Sequence, residues 1–188
     1  MQGVLSTQVG YAGGTKKNPT YHDLGDQTEM IRIIYNPKIV SYKQLLDIFW
    51  TNHDPTSSPW SKQYRSIIFY YNDEQKKLAF ETIAHIEKEL RRKVHTDIVP
   101  ASTFYGAEGY HQKYYLRNSP DVLRVFKESY PSESDFVAST AVARVNGYLG
   151  GYGKISELEN ELLLTGLSRE TIQKIVGFLG EKYRNEMR

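Results

Sequence analysis

A phenol and a carboxylate separated by a short loop, Tyr21 and Glu29, are the first residues in this sequence whose types and spacing could do chemistry. They lie in the stretch GYAGGTKKNPTYHDLGDQTE, from Gly10 to Glu29. A tyrosine hydroxyl can hold an oxygen atom by hydrogen bonding, and a carboxyl can give or take a proton. Gly10, Gly13 and Gly14 permit positive φ or a close approach of another backbone, and Pro19 stiffens the approach to Tyr21. The pattern reads as a strand end, a glycine turn, a polar loop and the start of the next strand, so phenol and acid sit on a shaped loop near strand ends. Other chemistries find less support. The chain has no cysteine, which excludes disulfides, thiolate metal sites and a cysteine nucleophile within these residues. His22, His53, His85, His95 and His111 show no metal-ligand spacing, so no metal is expected. GYAGGTKK lacks the G-K-[ST] ending and the following helix of a phosphate loop.

The elements that must position these groups can be read in order. Val4 to Tyr11 is a first strand, and EMIRIIY, Glu29 to Tyr35, is a mostly buried one. After the Asn36-Pro37 turn, Ser41 and Gln44 form a capping box for a short helix with Tyr42, Leu45, Leu46 and Phe49 on its apolar face. Asp54-Pro55 opens a loop to Ser61, and Arg65 to Tyr71 is a strand. Asn72 with Gln75 caps a long helix whose buried stripe is Ala79, Ile83, Ile86 and Leu90, with Arg91, Arg92 and Lys93 as a solvated last turn. Thr96 to Val99 is a strand closed by Pro100, and Glu108 to Leu116 is helical. From about Asp121 onward only helical patterns remain: Asp121 to Tyr130, Glu133 to Leu149, Ile155 to Leu164 with a Ser156–Glu159 capping box, and a last helix capped by Ser168. No fixed period indicates a solenoid. Alternating strands and helices followed by helices alone predict an α/β or α+β sandwich over residues 1–120 with a helical C-terminal extension over 121–188.

Composition narrows the class. At 188 residues, 39% hydrophobic and 24% charged, the chain can bury a globular core. Its net charge of +2, with basic residues spread along the chain, argues against a nucleic-acid binder. No apolar run approaches the roughly 20 residues of a membrane span. The absence of cysteine suits the cytoplasm, which is the expected compartment. The 15 tyrosines read either as aromatic packing or as phenols placed for hydrogen bonding.

Two further stretches, FWTNHDPTSSPWSKQYRS from Phe49 to Ser66 and FYGAEGYHQKYYL from Phe104 to Leu116, occur in order after GYAGG and NPTY. Together the four motifs resemble the peptide methionine sulfoxide reductase A family over roughly residues 3 to 120. The resemblance implies a two-layer sandwich of mixed sheet and helices. It also implies peptide-methionine (S)-S-oxide reductase activity on oxidised methionine, in proteins or free, with thioredoxin or another thiol as reductant and no bound cofactor. By the same resemblance Tyr21 and Tyr64 hold the sulfoxide oxygen, and Glu29, at the place of the family's G-H-A-E glutamate, gives the proton. Glu108 and His111 of A-E-x-Y-H-Q brace the loop beside the substrate pocket; the plainer alternative is that they cap or solvate a helix. The plain alternatives for Glu29 and the tyrosines are a solvated strand-start carboxylate and aromatic packing.

The departures from the family are as informative. The G-C-F-W-G motif with its nucleophilic cysteine is absent, as are resolving cysteines. The loop between Tyr21 and Glu29 is short, and Pro59 or Trp60 stands near where the family has an aspartate before Q-Y-R-S. Met1-Gln2-Gly3-Val4 matches the end of the helix that follows the nucleophile motif, so the sheet is expected to lack its first strand and helix. The expectation is a downstream part of a reductase whose nucleophile, selenocysteine or cysteine, lies shortly upstream of Met1. The alternative is a non-catalytic module that binds methionine sulfoxide or a protein partner.

Overall fold

The Ser41 hydroxyl accepts a hydrogen bond from the Gln44 amide while the Gln44 side-chain oxygen accepts one from the Ser41 backbone N–H, so helix α1, Tyr42–Thr51, starts where its capping box dictates. It is one of thirteen elements in the computed structural model, which describes residues 1–186. Before it run strands β1, Val4–Ala12, and β2, Thr28–Tyr35; after it come β3, Ser66–Tyr70, helix α2, Asp73–Leu90, and β4, Thr96–Pro100. A two-residue strand β5, Tyr105–Gly106, precedes six helices: α3, Tyr114–Arg117; α4, Pro120–Ser129; α5, Glu133–Ala138; α6, Thr140–Leu149; α7, Ile155–Leu163; and α8, Arg169–Glu186. The architecture is mixed α+β, as the order of sequence patterns predicts. Among the described residues no helix is long and apolar enough to cross a membrane.

The strands form two sheets. One has the order β2-β1-β5, with Gly10 opposite Gly106 and Tyr11 opposite Tyr105 in an antiparallel pairing. In the other, β3 and β4 run parallel, from Ser66 opposite Thr96 to Tyr70 opposite Pro100. Parallel neighbours need a crossover, and α2 supplies it. Asn72 caps α2 through the Gln75 amide, and Arg91 ends it in the left-handed conformation at φ 52°. Arg91, Arg92 and Lys93 therefore follow the helix rather than forming its last turn. Leu90 is 45% exposed and does not join the buried stripe; Thr82, bonded back to the Ala79 carbonyl, is buried instead.

The chain divides into two compact units. One consists of Val9–Ile31 and Asn36–Ala107. Its apolar core is small: Leu46 and Trp50 of α1, Ile68 of β3, Ala79 of α2 and Val94. His53 links the end of α1 to this core's strands, since its Nε2 lies 2.9 Å from Ser66 Oγ, which in turn lies 2.8 Å from Thr96 Oγ1. The other unit takes Met1–Gln8, Arg32–Tyr35 and everything from Glu108. It is dominated by helices packed around Leu116, Phe126, Phe136, Val142, Val145, Leu158, Leu162, Ile172, Ile175 and Leu179, all essentially sealed from water. Residues of the first strand are held in this unit by Lys113 Nζ, which donates to the Thr7 carbonyl at 2.6 Å, and by the Thr140 hydroxyl, which donates to the Leu5 carbonyl at 2.7 Å.

Three expected elements take a different form. Glu108 to Leu116 is a turn followed by the short α3, because Lys113 adopts φ 55° and interrupts any helix running through it. Glu133 to Leu149 is two helices: Ser139 is extended and ends α5 while its hydroxyl caps α6 through the Val142 amide. Helix α7 begins at Ile155 after Lys154, so Ser156 lies inside it and the Ser156–Glu159 capping box does not form.

Candidate functional site

Glu29, the second residue of β2, lies beside the Gln63 backbone, to whose carbonyl its own N–H donates at 3.0 Å. The Gln63 side chain completes the pairing. Its Nε2 donates to Glu29 Oε1 at 2.7 Å and to the Tyr64 hydroxyl at 3.0 Å. The Tyr21 hydroxyl is hydrogen-bonded to that of Tyr64. Tyr21, Glu29 and Tyr64, singled out from the sequence, thus meet in one cluster within one unit, with the Gln63 amide as the connector. Loss of water around its hydroxyl, then the facing charge of Glu29, then Tyr21 push the Tyr64 phenol above its ordinary pKa, against a smaller opposing effect of Gln63. The phenol therefore keeps its proton and remains a donor, while 43% of the residue stays exposed, as does 38% of Tyr21. The indole of Trp60 lies on the Tyr64 ring, with centroids 4.8 Å apart at 32°.

The loop that presents Tyr21 is folded by local polar chemistry. The Asp26 carboxylate accepts from the Thr15 amide at 2.8 Å and 2.9 Å, from the Thr15 hydroxyl at 3.0 Å and from the Lys16 amide at 3.1 Å. The Lys16 and Thr15 amides hold the Asp26 carboxyl below its usual range. The neighbouring Gln27, 2% exposed, accepts from the Gly14 amide at 2.9 Å and donates to the Lys16 carbonyl at 2.7 Å. Two carboxamide and carboxylate side chains thereby satisfy both ends of a glycine turn that no strand ladder serves. At the tip, Thr20 and Asp23 exchange backbone hydrogen bonds at 3.3 Å and 3.0 Å, which leaves Tyr21 and His22 as the turn residues.

Arg65 fastens this loop to the strands. Its Nε donates to Thr28 Oγ1 at 2.7 Å, its Nη2 to the Gly13 carbonyl at 3.0 Å, and its Nη1 pairs with Asp97 at 3.3 Å. Thr28 Oγ1 in turn donates to the Lys62 carbonyl at 2.9 Å. The close approach requires glycine at 13: φ is +87°, and a Cβ there would lie 2.9 Å from Arg65 Nη2 and 2.9 Å from Phe69 Cζ. A single guanidinium, carried by the residue after Tyr64, thus ties Thr28, the residue before Glu29, to Gly13 and Asp97.

Glu108 and His111 belong to the other unit. There the His111 amide donates to the Glu108 carbonyl at 3.0 Å, closing a turn, and the His111 ring lies 4.2 Å from that of Tyr110. Sequence reasoning missed Gln63, Asp26, Gln27 and Arg65. Gln63 and Arg65 flank Tyr64 in QYRS, so their nearness to a named tyrosine was the available signal. Among the described residues no group of three or more histidine, aspartate or glutamate side chains could hold a metal.

A family model described as peptide methionine sulfoxide reductase matches residues 1–144. A peptide methionine sulfoxide reductase of Drosophila melanogaster is 40% identical over 173 residues, covering 89% of this chain and 68% of that protein. One from Methanosarcina acetivorans is 44% identical over 142 residues, covering 68% of this chain and 75% of that protein. Among solved structures, Mxr1 from Saccharomyces cerevisiae in reduced form matches with a TM-score of 0.57 at 31% identity, covering 63% of this chain and 73% of that one. Methionine sulfoxide reductase A of Corynebacterium diphtheriae matches with a TM-score of 0.53 at 28% identity, covering 63% and 66%.

Proposed function

The chain belongs to the peptide methionine sulfoxide reductase family, and on that premise we propose that Tyr21, Tyr64 and Glu29 bind the sulfoxide group of oxidised methionine and assist its reduction by a thiol. The observation that carries this reading is the Gln63 amide joining the Glu29 carboxylate to the Tyr64 hydroxyl, with Tyr21 bonded to the latter. A sulfoxide oxygen carries strong negative charge and accepts hydrogen bonds, so two neutral phenols suit it. As a nucleophile attacks sulfur the oxygen must leave with protons, and Glu29 is the acid in reach of the phenols. The overall change consumes one sulfoxide and two thiols and yields one thioether, one disulfide and water. It invokes no bound cofactor.

The chain has no cysteine, and serine or threonine attack sulfur poorly without an activating base. The residues here therefore hold the sulfoxide and handle the proton, while the attacking thiolate or selenolate comes from another group. Thioredoxin or a similar thiol is the proposed reductant and the cytoplasm the proposed setting. The bracing role of Glu108 and His111 belongs to the same reading. The lack of cysteine also favours a second reading, a module that binds methionine sulfoxide and reduces nothing.

Binding and turnover separate the two. A peptide carrying one methionine sulfoxide should bind more tightly than its thioether counterpart. Tyr21→Phe and Tyr64→Phe should each weaken that preference about two- to tenfold, the worth of one hydrogen bond. Thioether production above the rate of free thiol alone supports the reductase, and sulfoxide-selective binding without it supports the module. Equal affinity for sulfoxide and thioether refutes both.

A further inference from the structure

Trp60 and Trp50 have opposite environments. Trp50 is 5% exposed and packs with Phe49 and His53, whereas Trp60 is 82% exposed. A lone exposed aromatic is ordinary, but this one lies against a tyrosine whose hydroxyl belongs to the candidate site. The loop leading to it is anchored at its base, where Asp54 accepts from the Thr56 amide at 2.9 Å, the Thr56 hydroxyl at 2.7 Å and the Ser57 hydroxyl at 2.9 Å.

A sulfoxide has two faces of different chemistry. Its oxygen is negative and seeks donors; its sulfur is electron-poor and bears apolar carbons. The phenols answer the first. An indole face, apolar in bulk and electron-rich at its surface, answers the second. We propose that Trp60 is a substrate-binding residue on which the sulfur and methyl group of a peptide-borne methionine sulfoxide rest while its oxygen meets Tyr21 and Tyr64. This rests on the sulfoxide-binding reading above and adds to it the residue that contacts the carbon side of the ligand. The Trp60 face is open, so the ligand it fits is a side chain displayed on an extended peptide.

The experiment measures the affinity of the full chain for a short peptide with one methionine sulfoxide and for its thioether twin, by calorimetry, together with acrylamide quenching of tryptophan fluorescence. Wild type should prefer the sulfoxide, and bound peptide should shield the exposed tryptophan. Trp60→Ala should weaken sulfoxide-peptide binding about three- to tenfold, the worth of one aromatic contact. Trp60→Phe should stay within about twofold of wild type, an outcome a folding defect cannot mimic. Unchanged affinity in Trp60→Ala, or an equal loss in Trp60→Phe, overturns the inference while leaving sulfoxide selectivity intact. Loss of selectivity in wild type itself overturns the sulfoxide reading and this inference with it.

Discussion

In the helical unit the side chains removed from water are Leu116, Phe126, Phe136, Leu158, Ile175 and Leu179. Around Tyr21, Glu29 and Tyr64 they include the polar Gln27 and Thr28, fixed by hydrogen bonds to the glycine turn and to Lys62 and Arg65. The first kind of burial is large but non-directional, and tolerates small shifts of one helix on another. The second stabilises less per group but fixes direction and distance, since a hydrogen bond weakens steeply off-axis. Groups that must meet a single reacting atom need the second kind. The helical unit is accordingly expected to respond to lost volume, and the site to lost donors.

The largest expected effect is in the helical core. Phe126→Ala removes a fully buried ring and should cost about 3–5 kcal/mol of stability, read by urea denaturation. If the folded variant keeps its affinity for a sulfoxide peptide the contrast is sharpened; a parallel loss of affinity would break it. Next comes Arg65→Met, which keeps the packing stem but leaves the Gly13 carbonyl and Thr28 hydroxyl without their donor. A loss of about 2–3 kcal/mol is expected, with sulfoxide affinity falling as well. Arg65→Lys should not rescue it, because one ammonium cannot span three acceptors. Gln63→Leu should cost only about 1 kcal/mol of stability yet weaken sulfoxide binding more than thioether binding. Equal weakening of the two would show Gln63 to be filler rather than connector.

The smallest effect is in pH dependence, and it falls at opposite ends of the pH scale in the two units. Hydrogen bonds from Thr56 and Ser57 lower Asp54 to about 2, and Asp26 is lowered in the same direction. A carboxyl depressed in the folded state stabilises above its unfolded value near about 4. That stabilisation is lost as pH falls through the folded value, so the site unit should loosen between about pH 4 and pH 2. In the helical unit burial lowers Lys113 to about 8, against about 10.4 unfolded. The unfolded state binds more protons in that window, so stability should rise with pH from about 8 to 10.4. Thermal melts of wild type and Lys113→Met check that stability rises with pH in each window, and that the upper rise is lost in the variant.

What could be read from the sequence follows the same division. Helices with a capping side chain were legible at their starts, as at Ser41, Asn72 and Ser168, because capping is local chemistry. Ser139 escaped notice because apolar periodicity continues across it, and a single extended residue leaves no periodic mark. The two residues of β5 are too few to carry a period. At the site, Tyr21, Glu29 and Tyr64 could be named through their motifs. Gln63, Asp26, Gln27 and Arg65 could not, because polar side chains act here through partners distant in sequence, as Gln63 does on Glu29. Spacing along the chain has no bearing on such pairs.

The helical unit is discontinuous: Met1–Gln8, with Arg32–Tyr35, is completed only by residues from Glu108 onward. On the ribosome, the stretch from Val9 to Ala107 must be made in between, which takes about 5–20 s at roughly 5–20 residues per second. Throughout that interval the first half of β1 exists while Lys113 and Thr140, which later anchor Thr7 and Leu5, have yet to be synthesised. The Tyr21–Glu29–Tyr64 unit has all its residues by then and can fold as the nascent chain lengthens. The helical unit must assemble late, around a strand segment that has waited for it.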